Sequence, residues 1–157
     1  NSFKTQKIHL KILPIGNIMK RPSRKLFIVE LEKIDIYGLN DIYALSVVQK
    51  EFKNAVNEQW KINPPWKRYQ KKLMEDLAVL DLEKSHAIDL PQYEKLSNEE
   101  KLYSIRHPES KKNVRVIYTI TEEFEIVLLV AFLEKNDGDY KKAIRTARKR
   151  LMWIESE

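Results

Sequence analysis

The last third of the chain restricts the fold more than any other stretch. Phe124 to Leu133 is apolar almost throughout, as expected of a central strand covered on both faces. Before it, Val114, Val116, Tyr118 and Ile120 alternate with Arg115, Ile117 and Thr119, the period of a strand with two distinct faces. Thr121-Glu122-Glu123 is short enough to be the turn of a hairpin joining the two. Leu102 to His107 alternates as a further strand. After the apolar run, Asn136 to Asp139 reads as a loop ending in an N-cap, followed by a helix from about Tyr140 to Ile154. Such a chain must bury one long strand on both faces.

Upstream, Leu26 to Glu32 reads as a first strand. Asn40 is a candidate N-cap for a helix from about Asp41 to Trp60, with Ile42, Leu45, Val48, Phe52, Ala55 and Val56 on one stripe. Asn63-Pro64-Pro65 stops that helix and starts another, whose stripe is Trp66, Tyr69, Leu73, Leu77 and Leu80. The pair is expected as an αα-hairpin. Glu83 to Glu100 reads as a polar connection carrying at most one helical turn. The expectation is an α+β fold: a small, mostly antiparallel four-stranded sheet packed by an αα-hairpin, with a basic C-terminal helix. One domain over residues 26–157 follows a basic extension over 1–25. Met19 is the first methionine, and residues 1–18 are read as a cloning remnant, a leader read-through or a natural extension.

Composition removes several functions. There is no cysteine, which excludes disulfides, thiolate zinc sites and a cysteine nucleophile, and fits a reducing, cytoplasmic location. Three glycines in 157 residues leave no Gly-rich phosphate cradle. The longest unbroken apolar run, Ile126 to Leu133, is too short for a membrane helix. No protease, hydrolase or nucleotide-binding motif occurs, and His9, His86 and His107 form no spaced metal cluster, so no metal or cofactor is implied.

The net charge is +6 and the pI about 9.3. Seven lysines and arginines precede the first acid, Glu30, and Tyr140 to Leu151 holds six more with no acid. Such patches attract phosphate backbones by displacing counterions, and they suit an acidic protein equally well. The residues that could act on RNA are Arg106, His107, Lys111, Lys112, Arg115, Tyr118, Lys135 and the last helix. Cleavage by the ribose 2′-hydroxyl needs in-line alignment, neutralised phosphorane charge and two proton transfers. Arginine and lysine suit the second need, and His, Tyr or Lys the third. Each also has a plain reading: strand arginines in ion pairs, Tyr118 in the core, His107 and the lysines in water.

Tyr103-Ser-Ile-Arg106, Val114-Arg-Val-Ile-Tyr118, Leu128-Leu-Val-Ala-Phe-Leu-Glu-Lys135 and the helix Asp139 to Ala147 follow one another in an order that resembles the RelE/HigB superfamily of toxins, its phage-derived HigB-like branch above all. The resemblance implies a RelE-like fold and the toxin of a type II toxin–antitoxin pair. It implies a metal-independent, ribosome-dependent mRNA endoribonuclease whose partners are mRNA, the ribosome and a cognate antitoxin of helix-turn-helix type. By the same resemblance Arg106, Arg115, Lys135, His107 and Tyr118 are catalytic candidates. Lys111, Lys112, Lys141, Lys142, Arg145 and Arg148 are RNA-binding candidates. Two positions depart from the pattern. Val130 replaces the usual strand histidine and Asn136 the second lysine, which leaves three expectations: weak catalysis, catalysis moved onto His107 and Tyr140, or activity lost with the fold retained. The alternatives are a non-catalytic RNA- or ribosome-binding module on the same fold and a basic protein-interaction subunit.

Overall fold

The computed structural model describes residues 5–14, 26–34, 39–106 and 113–155, with side chains described at Ile34 and from Leu39 onward. The chain runs β1 (Thr5–Pro14), β2 (Leu26–Ile34), β3 (Ile42–Leu45), α1 (Val48–Gln59), α2 (Trp66–Glu83), a short 3₁₀ helix (Lys84–Asp89), β4 (Tyr93–Lys95), β5 (Tyr103–Arg106), β6 (Asn113–Ile120), β7 (Ile126–Glu134) and α3 (Asp137–Glu155). The result is a mixed α+β structure. All seven strands belong to one sheet in the order β1-β2-β3-β7-β6-β5-β4. β3 pairs with β7 in parallel, and every other pair is antiparallel.

The central apolar strand is where periodicity places it. Ile126 to Ala131 of β7 are all buried, between β3 on one side and β6 on the other. α3 covers one face of this part of the sheet. α1 and α2 cover the other, where the Tyr93 hydroxyl donates to the Asp76 carbonyl of α2 at 2.6 Å.

The four-stranded sheet and the bounds of the αα-hairpin require correction. Ile42 to Leu45 is a strand, not the start of a helix. Its apolar residues fit both periods, and the free side of β7 takes them as a partner. α1 begins only at Val48, with no side-chain cap. Asn40 caps nothing. Its backbone N–H and that of Asp41 donate to the buried Asp81 carboxylate of α2 at 3.0 and 2.8 Å. α1 lies against β7 far more than against α2. The helices meet at their corner, through Phe52 with Trp66 (ring centroids 5.7 Å apart) and a hydrogen bond of 3.0 Å from Trp60 Nε1 to the Tyr69 hydroxyl. The connection after Glu83 is more ordered than its polarity suggests. Lys84, at φ 51°, ends α2 and turns its amine onto the Asp81 carbonyl (2.6 Å) and the Asp41 carboxylate (3.0 Å). β4 then pairs with β5. Residues 5–14, expected within an extension, form edge strand β1 on β2. α3 starts earlier than expected because Asn136 and Asp139 form a reciprocal cap: Asn136 Oδ1 accepts from the Asp139 N–H and Asp139 Oδ2 from the Asn136 N–H, both at 3.2 Å.

β3 leaves β7 after Leu128, and β7 continues without a strand on that side. Two side chains take the place of the missing partner. Glu51 of α1 accepts from the Ala131 N–H at 3.2 Å, and Arg150 of α3 donates to the Leu129 carbonyl at 2.8 Å. Arg150 and Glu51 grip each other through two hydrogen bonds of 2.9 and 3.0 Å. Arg150→Ala would strand both the carboxylate and the carbonyl, and should cost about 2 kcal/mol in urea unfolding, the pair being partly rather than fully buried.

Asp76 is buried to 1% exposure, takes hydrogen bonds from Lys72 (2.7 Å) and Gln92 (3.4 Å), and keeps Oδ2 unpartnered among the described residues. Burial raises its pKa, with Lys72 opposing. The fold therefore prefers the protonated acid more than the unfolded chain does. That preference is lost as pH rises from the ordinary carboxylate range through the raised folded value. Asp76→Asn should be at least as stable as wild type at neutral pH, with the advantage shrinking toward about pH 4. A variant markedly weaker at neutral pH in chemical denaturation would count against this account.

Candidate functional site

The register of β5 and β6 sets Arg106 directly opposite Arg115. Paired residues of an antiparallel ladder share a face, so both guanidiniums rise from the side covered by α3. Ser104 stands two residues before Arg106. Across β6, Arg115 is opposite Phe132, and Glu134 lies two residues further on the same face. β4 places Glu94 opposite Ser104. Tyr140, in the first turn of α3, closes over the group.

Arg115 is the buried centre of this cluster. Its Nε donates to Glu134 Oε1 at 2.6 Å, and its Nη1 lies 3.5 Å from Ser104 Oγ and 4.0 Å from Glu94 Oε2. The Tyr140 ring covers the guanidinium at 4.8 Å and packs on Phe132 at 5.8 Å. The Tyr140 hydroxyl donates to Glu94 Oε1 at 3.1 Å and lies 3.3 Å from Ser104 Oγ. Burial raises the pKa of Tyr140, with Ser104 and Arg115 pulling the other way. A charge this deep persists because Glu134 neutralises it and the aromatic face supports it. Arg106 is half-exposed at the rim and has no ion-pair partner among the described residues. The cluster thus joins one sequestered cation, one accessible cation, a phenol and a half-exposed carboxylate, Glu94.

The other candidates are dispersed. Tyr118 lies on the opposite face, fully buried, stacked on Tyr103 at 5.3 Å with its hydroxyl unpartnered among the described residues. Its place on the opposite face keeps it apart from the arginines, and burial raises its pKa. Lys135 also turns to that face, where its amine donates to Glu58 of α1 at 2.6 Å. That bond raises its pKa and holds it protonated. His107, Lys111 and Lys112 lie outside the described residues. Lys141, Lys142 and Arg145 are exposed on the outer side of α3. Arg148 is exposed but engaged, gripping Glu99 through Nε and Nη2 at 2.6 and 2.5 Å.

Glu134, Ser104 and Glu94 were not singled out in the sequence. The first two were within reach of alternation, since Glu134 is two residues from Phe132 and Ser104 two from Arg106. Glu94 sat in a stretch read as a loop. No group of His, Cys, Asp or Glu among the described residues could hold a metal ion, and no described helix is long and apolar enough to cross a membrane.

Arg115→Lys keeps the charge and loses the planar fork that meets Glu134, Ser104 and the Tyr140 face together. It should lower stability by about 1–3 kcal/mol in thermal or urea unfolding. An unchanged midpoint would mean that geometry at Arg115 is irrelevant.

A family model described as "Phage derived protein Gp49-like (DUF891)" matches residues 66–152, more than half of the chain, from the first turn of α2 into the last turns of α3. Neither a curated protein nor a solved structure matches.

Proposed function

The chain belongs to the phage-derived Gp49-like family, a toxin-like family associated with the toxins of toxin–antitoxin pairs, and from that premise we propose that it is the toxin of a type II pair and cleaves mRNA on the ribosome. The observation that carries the reading is the Arg106–Arg115 register pair beneath Tyr140, inside the matched region and beside the exposed cations of α3. Arg106 grips the scissile phosphate from the rim. Arg115 and its partners set the floor on which charge builds up at phosphorus. The 2′-oxygen attacks phosphorus in line and the 5′-oxygen leaves with a proton from the Tyr140 hydroxyl, giving a cyclic 2′,3′-phosphate and a free 5′-hydroxyl, and the phenol regains its proton from Glu94. Glu94, half-exposed and bonded to Tyr140, is placed to take the 2′-proton. Lys141, Lys142 and Arg145 hold RNA backbone. The antitoxin neutralises the protein by covering this cationic face.

One observation favours a second reading, a non-catalytic RNA- or ribosome-binding module on the same fold. Arg115 is already matched by Glu134, and Lys135 and Tyr118 point away, so few groups remain free for chemistry.

Titration of purified ribosomes carrying a defined mRNA decides between them. The wild-type protein should produce new mRNA ends, and Arg106→Ala should reduce their rate by about 10²-fold or more without loss of fold. Ribosome binding with no added cleavage would leave the second reading standing and remove the first.

A further inference from the structure

The ribosomal reading leaves one cationic surface unused. From Gln59 to Met74 the chain carries five lysines and arginines and no acid. Lys72 is tied to Asp76, and the Arg68 guanidinium lies 5.8 Å over the Trp60 ring. Lys61, Lys67 and Lys71 are exposed. Lys67 and Lys71 are four residues apart on α2, hence on one side of it, and Lys61 lies in the joint between α1 and α2.

Contacts fix where this corner lies. β7 starts at Ile126, whose N–H donates to the Asp41 carbonyl, and Asp41 in turn is held by Asp81 near the end of α2. The end of α2 is therefore at one pole of the sheet and its start, at Trp66, is at the other. β7 finishes at that second pole, where Lys135 reaches Glu58 at the end of α1. Arg106, Arg115 and the first turns of α3 are at the same pole. The first pole instead gathers Asp41, Glu83, Glu122, Glu123, Glu125 and Glu155. Its lysines 84 and 101 are each bonded to a carboxylate. The second pole also holds Glu58, Glu94, Glu134 and Asp139, of which the first three pair with Lys135 or Arg115, and its exposed cations form two separate walls. α3 forms one on one face of the sheet, and the α1–α2 corner forms the other on the opposite face.

We infer that Lys61, Lys67 and Lys71 form a second RNA-backbone contact surface, which engages a different RNA segment from the one held against Arg106 and α3. Acid-free clusters of exposed lysines match closely spaced phosphates, each contact releasing counterions. The walls lie on opposite faces of the sheet, so the two surfaces suit a protein inserted between two stretches of folded RNA. The inference rests on the ribosomal reading for its ligand but not on cleavage.

The test is equilibrium binding of the full chain to purified ribosomes across a salt series, comparing wild type with Lys61→Gln/Lys67→Gln/Lys71→Gln. None of the three has a partner among the described residues, and thermal unfolding should be unchanged. The triple variant should reduce the slope of log K against log salt by about 2, given about 0.7–0.9 per phosphate contact. Combining it with Lys141→Gln/Lys142→Gln/Arg145→Gln should give additive reductions. An unaltered slope in the first triple variant, with wild type still binding, overturns this inference and leaves the cleavage proposal intact. Loss of binding to an acidic polypeptide with the ribosomal slope preserved overturns it too, since the surface then serves a protein. Wild type that fails to bind ribosomes ends both proposals.

Discussion

One ion pair holds the layers in relation to each other. β7 is the strand on which both helical layers rest, yet β3 accompanies it only from Ile126 to Leu128. Beyond that, a carbonyl and an N–H on its open side would face the protein interior unpaired, at a cost comparable to a lost hydrogen bond each. Glu51 and Arg150 satisfy both, and do so from helices on opposite faces. A single bidentate contact therefore fixes α1, β7 and α3 at one height. Tyr140, over Arg115, stands on the same helix as Arg150, and that helix is also seated on the core through Ala143, Ala147 and Ile154, with Ile144, Leu151 and Trp153 packed beside them.

The site shows how a buried charge limits chemistry as well as enabling it. Arg115 is held rigidly by Glu134, Ser104 and an aromatic ring, and that rigidity gives Arg106 a defined neighbour. The same contacts absorb most of its capacity to bind a new anion. Capacity to meet a new anion thus lies at the rim, with Arg106, while the floor supplies field and shape.

Much of this arrangement was legible in the sequence and the remainder failed for definable reasons. Alternation from Val114 to Ile120 and the apolar run after Phe124 located β6 and β7 and put Arg115 on the face away from Tyr118. The acid-free turns after Asp139 marked the exposed side of α3. Ile42 to Leu45 misled because four apolar-rich residues fit a helix stripe as well as a strand, and only the vacancy beside β7, distant in sequence, decides between them. β4 is three residues long with a single buried side chain, Tyr93, so it carries no period to read. The pairing of Arg106 with Arg115 follows from alternation only once the register is known, and residues 107–112 between the strands give no turn signature that sets it. The resemblance sets Lys135 with the arginines as its strand-end lysine. Alternation sends it to the other face, one residue after Glu134.

The parallel contact between β3 and β7 has an implication for the life of the chain on the ribosome that makes it. Residues 42–45 wait for a partner more than eighty positions downstream, and the Glu51 carboxylate waits for Arg150, later still. Sheet closure is a long-range event of the kind that proceeds slowly and late. A nascent chain therefore cannot assemble the Arg115 cluster until α3 has emerged, so the cluster matures only after the whole stretch from β3 to α3 has left the ribosome.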